Sequence, residues 1–155
     1  MNSAQAMNVG KKMIQLLTQQ QLLYRQLQEL AGKQSAFVNS GNPEALLQVL
    51  ASRQRLIDRL TNIDRELTPI RSDWKKISLL LPSQLRRQAQ QLIVAVQEIL
   101  GDIINRDKKD SEILSHQQKE VAANIRRTRK GKQMNQAYSQ TASVGQSHYL
   151  DTRSE

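Results

Sequence analysis

The 155-residue chain holds two histidines, His116 and His148, and no cysteine. His116 stands four residues from Glu112 and four from Glu120, so on a helix the three share one face. An imidazole between two carboxylates suits a divalent cation. No second imidazole or thiolate joins them, and the plainer reading is a surface histidine flanked by acids. The sequence has no Gly-rich phosphate loop, nucleophile elbow or zinc-site spacing. Asp58, Asp64 and Glu66 fall off the apolar seam among Arg59 and Arg65, as solvated ion-pair faces do. We therefore expect no enzyme, no metal and no cofactor.

The other chemistry-bearing feature is charge. The net charge is +9, and residues 119–132 carry six basic side chains (Lys119, Arg126, Arg127, Arg129, Lys130 and Lys132) against Glu120 alone. Such a segment is either a footprint for nucleic acid or an acidic partner, or a solvated helix end where cations suit the macrodipole. RRTRKGK has no interleaved aromatics on which bases could stack and no helix-turn-helix spacing. A nucleic-acid-binding or structural coiled-coil protein using this segment stays open as the alternative reading.

The elements that must position these groups are helical. With one Phe and one Trp, the core must rest on Leu and Ile, and six Gly and three Pro leave little room for sheet turns. The predicted fold class is all-α: an elongated antiparallel bundle of three long helices with a flexible C-terminal tail. The N-terminus has Gln and Asn where a signal peptide would be apolar. The longest apolar runs, LIVAV and LLL, are far too short to span a bilayer. Zero Cys fits a reducing compartment. A soluble cytoplasmic protein without membrane insertion is expected.

Helix one is predicted over about 4–39. Met13, Leu16, Gln20, Leu23, Leu27, Leu30, Gln34 and Phe37 keep a three-four alternation, and Gly10 predicts fraying before Lys11. In NSGNPE, Gly41 suits a left-handed cap, Asn42 an N-cap and Pro43 the first helical position. These residues predict a tight antiparallel hairpin. Helix two, 43–81, runs from Leu46 to Leu81 with only Arg53 breaking its stripe. Its phase crosses Pro69 unbroken, which favours one kinked helix over two collinear ones.

Helix three, 82–130, opens at Pro82 with a dense stripe (Leu85, Ala89, Leu92, Val96, Ile99, Ile103) expected to be the best-buried part of the chain. NRDKKDSE, 105–112, has no apolar residue, and a sparser stripe of Ile113, Leu114, Gln117, Val121 and Ile125 follows. The expectation is a helix that leaves the bundle there and offers those five residues to a partner helix. Its exposure would also favour a homodimer in the absence of substrate. Domain one is thus 1–131. Residues 132–155 are polar and Ser-rich, a flexible tail in which Met134, Ala137 and Tyr138 give one apolar edge for folding on a partner.

Several stretches resemble one family in order and spacing. They are LLYRQLQELAGKQSAFVNSGNPEALLQVLASRQRLIDRL, LTPIRSDW, LPSQLRRQ, IINRDKKDSEIL and the Ala137–Tyr138 pair. The chain is similar to FlgN-type flagellar export chaperones of type III secretion. That resemblance implies a cytosolic helical protein binding the amphipathic terminal helices of the hook-filament junction proteins FlgK and FlgL. It implies that the C-terminal part is the binding part, with Ile113, Leu114, Gln117, Val121 and Ile125 on the substrate-facing helix. Tyr138 would lie near a tyrosine linked to docking on the export gate protein FlhA. The strongly basic charge departs from the family's commonly acidic or neutral character.

Overall fold

The structure, a computed structural model, describes residues 1–131. It consists of α1 (Ser3–Ser40), α2 (Pro43–Leu79) and α3 (Ser83–Gly131). Over the described residues the fold class is as the sequence predicts and the helix limits fall within a few residues of those expected, while the predicted tail, 132–155, lies outside the described residues.

Turn chemistry sets the hairpin between α1 and α2. Gly41 adopts φ 66°, ψ 41°, the left-handed conformation that glycine takes without steric cost. The Asn42 side chain then accepts a hydrogen bond from Ala45 N–H at 3.2 Å, with Pro43 next and Glu44 in the first turn. One helix continues across Pro69. There the Thr68 hydroxyl donates back to the Asp64 carbonyl, a mid-helix role rather than that of a fresh cap.

α1 is helical from Ser3, including the residues before Lys11 where fraying is expected. Asn2 and Gln5 form a capping box at the helix start, each side chain accepting from the other's backbone N–H at 2.9 Å. Gly10 is buried, and a Cβ there would lie 2.8–2.9 Å from both Leu81 methyls. The glycine leaves the space in which the α2–α3 turn seats the Leu81 side chain on α1.

α1 is the central helix, with α2 antiparallel and α3 parallel to it. Because two neighbours cover it, its buried face is wider than one seam. Ala31 and Val38 are buried, while Leu30 and Phe37 on the predicted seam are half-buried. The expectation that the α3 stripe is the best-buried part of the chain fails for the same reason. α3 flanks the bundle, so Ala89, Val96 and Ile103 are buried but Leu85, Leu92 and Ile99 only half so.

Three predictions follow from this packing. Asn42→Ala should destabilise by about 1 kcal/mol in chemical denaturation. Gly32→Ala, whose Cβ would meet nothing closer than an Arg106 nitrogen at 3.9 Å, should stabilise by about 0.5–1 kcal/mol. Gly10→Ala should show no such gain, because the buried Leu81 must give way. The third concerns Asp102, which accepts from Gln28 Nε2 at 2.8 Å and from Arg106 Nε at 3.0 Å. These bonds, that of Gln28 first, hold its carboxyl below the usual carboxylate range. A depressed folded-state pKa gives stability that is present above the ordinary carboxylate pKa and lost as pH falls through that range. Asp102→Asn should therefore flatten the acid limb of a melting-temperature titration below about pH 4.

Candidate functional site

The sequence-predicted binding stripe lies on the part of α3 that follows the acidic and basic segment 105–112. The structure corrects the expectation that α3 leaves the bundle at this segment. Asp110 and Gln34 are 2% and 1% exposed, and both lie at a helix interface. The guanidinium of Arg53, on α2, donates to both carboxylate oxygens of Asp107 at 2.7 Å, a bidentate pair joining α2 to α3. The same guanidinium donates to the Gln34 side-chain oxygen. Gln34 Nε2 then donates to Asp110 at 3.2 Å, and the Ser35 hydroxyl donates to the same oxygen at 3.0 Å. Arg53 can only donate, so the orientation of the Gln34 amide follows from its partners.

The residues concerned are the polar interruptions of the three seams. Counted from Ile103, the spacing 103, 107, 110, 114, 117, 121 keeps the three-four alternation through the stretch with no apolar residue. The seam did not stop; it changed from leucine to aspartate. The detectable signal was a polar break in each seam (Gln34, Arg53 and Asp107 with Asp110) waiting for the others.

Beyond this layer α3 still packs on the hairpin tip. Leu114 and Gln117 line a cleft of about 100 Å³ with Phe37, Val38, Pro43 and Leu46. Gln117 Nε2 donates to the Val38 carbonyl at 3.2 Å, which sets residue 117 level with the end of α1. α1 is capped at Gly41, so the last dozen or so residues of α3 run past the hairpin by roughly 18 Å. No family model, curated protein or solved structure matches the chain.

The structure thus divides the predicted site residues. Leu114 and Gln117 belong to the packed hairpin tip, with half-buried Ile113 beside them. Val121 and Ile125, also half-buried, lie on the overhang, where Arg126, Arg127 and Arg129 are exposed. Met134, Ala137 and Tyr138 lie outside the described residues. His116 pairs with Glu120 at 3.0 Å on an exposed face, and among the described residues no group of three or more acids, histidines or cysteines could hold a metal. Nor is any described helix long and apolar enough to cross a membrane.

The polar layer makes its own prediction. Arg53→Ala should cost about 2–4 kcal/mol, because it removes the Arg53 donor from the buried Gln34 oxygen and the bidentate pair that joins α2 to α3. Replacing Gln34 and Asp110 together by leucine should cost less than Asp110→Leu alone, since a half-satisfied layer is worse than an apolar one. A double-mutant cycle in denaturant checks both.

Proposed function

We propose that the protein is a cytoplasmic flagellar export chaperone of the FlgN type. It would hold the amphipathic terminal helices of FlgK or FlgL and deliver them to the export gate through FlhA. The observation that carries this reading is the overhang of α3. Val121 continues the seam past the hairpin tip and Ile125, one turn on, lies on the same side of the helix, where α1 has ended and a foreign helix could take its place. The resemblance of the sequence to that family supplies the identity of the substrates. Ile113, Leu114 and Gln117 would form the docked base of the binding helix, and Met134, Ala137 and Tyr138 the segment that meets the gate.

A second reading is favoured by the exposure of Arg126, Arg127 and Arg129 on the same overhang, which suits nucleic-acid phosphates. Salt separates the two. Phosphate contacts release counterions, so nucleic-acid affinity falls steeply with ionic strength, whereas an apolar helix interface changes little.

The decisive variant is Val121→Asp with Ile125→Asp. It should leave the melting temperature within a degree or two of wild type and reduce binding of a FlgK or FlgL terminal-helix peptide at least about tenfold, read by titration calorimetry. A matching loss of stability would make these residues part of the core, and retained affinity would move the binding surface elsewhere.

A further inference from the structure

The opposite end of the bundle carries a second surface. It is built from the start of α1, the end of α2, the Leu80–Pro82 turn and the start of α3. Residues 1–28 and 74–97 contain no Asp or Glu. Lys11, Lys12, Lys75, Lys76, Arg86 and Arg87 are all exposed there, and among the described residues none of them is paired with a carboxylate. The nearest acid in sequence is Asp73.

At the apex of this basic end, Leu79 is 75% exposed and Leu80 41%. Their neighbour Leu81 is 5% exposed, tucked onto Gly10, so the turn is pinned while two leucines point outward. The half-buried Trp74 lies beside them, lining a shallow cleft with Ser78, Ser83, Arg86 and Arg87.

We infer that this end docks on an anionic lipid bilayer, the cations at the headgroups and Leu79 and Leu80 entering the interface. Two features favour a bilayer over nucleic acid or an acidic protein. Exposed leucines at the turn add nothing to phosphate contacts, and among the described residues no aromatic side chain is exposed to offer bases a stacking face. Leu79 and Leu80 do not line the Trp74 cleft, so a peptide seated there would leave them uncovered, whereas a bilayer interface accepts an apolar tip ringed by Lys and Arg end-on. The contact is peripheral and spans nothing. It uses the end of the molecule away from the α3 overhang and does not rest on the chaperone reading.

Trp74, the chain's single tryptophan, is a built-in reporter of this docking. The full chain should co-sediment with phosphatidylcholine vesicles containing about one-third phosphatidylglycerol and not with phosphatidylcholine alone. Trp74 fluorescence should shift to the blue on binding. Leu79→Ser with Leu80→Ser, and separately Arg86→Gln with Arg87→Gln, should each weaken partitioning about tenfold or more. All four side chains are exposed, so thermal melts of these variants should match wild type. Neutralising Arg126, Arg127 and Arg129 together should weaken it less. The proposal is overturned if anionic vesicles are not bound, or if the leucine variant binds as well as wild type. It is equally overturned if the loss follows the α3 arginines instead, or if duplex DNA displaces the protein from vesicles at stoichiometric phosphate.

Discussion

Arg53 can satisfy its guanidinium only where a carboxylate and a carbonyl oxygen converge, and in this bundle they come from different helices. Asp107 supplies two oxygens from α3 and Gln34 one from α1, while the other end of the Gln34 amide is used on Asp110. The partners lie 19, 54 and 76 residues apart in the chain. One turn of slippage would put Leu30 or Val38 in the place of Gln34 on α1, Val49 or Leu56 in the place of Arg53 on α2, and on α3 would leave only one of the two aspartates opposite a partner. Each buried unsatisfied group then costs about 1–3 kcal/mol. Apolar seams of Leu and Ile tolerate such slips far better, since one leucine packs much like another. The polar layer gives up some stability compared with a fully apolar seam and in return fixes which residues of α3 stand level with the hairpin tip.

That registration links packing to the proposed use of the molecule. With Gln117 fixed at the Val38 carbonyl, α1 ends and α3 continues. The overhang therefore follows from helix lengths of 38 and 49 residues in a fixed register rather than from loss of contact at the polar stretch. A substrate helix placed against Val121 and Ile125 would extend the seam beyond the end of α1. At the other end, Leu81 on Gly10 fixes the turn that holds Leu79 and Leu80 outward. The two ends are thus positioned by two different devices, one polar and one steric.

What was legible in the sequence was local. Gly41, Asn42 and Pro43 encode the first turn by their own backbone preferences, and the three-four alternation encodes three helices and their extents. The role of Gly10 was not legible, and the polar layer showed only as a polar break in each seam, because their meaning lies in residues far along the chain. A glycine in a helix reads as weakness until Leu81 is known to press on it. Asp107 and Asp110 read as solvent-facing charge until Arg53 and Gln34 are placed opposite. Two of the five predicted α3 site residues, Leu114 and Gln117, likewise proved to pack on the hairpin tip, an assignment that required the register of α3 on α1.

Hydrogen exchange along α3 tests the registration most directly. Amides of residues 105–117 should be protected to nearly the same degree as those of 92–103, with protection falling away only beyond about residue 120. In an Arg53→Ala variant the loss of protection should begin earlier, within 105–117. Protection that already ends near Asn105 in the wild-type chain would mean that α3 leaves the bundle at its polar stretch, and the account built on the Arg53–Gln34–Asp110 layer would be wrong.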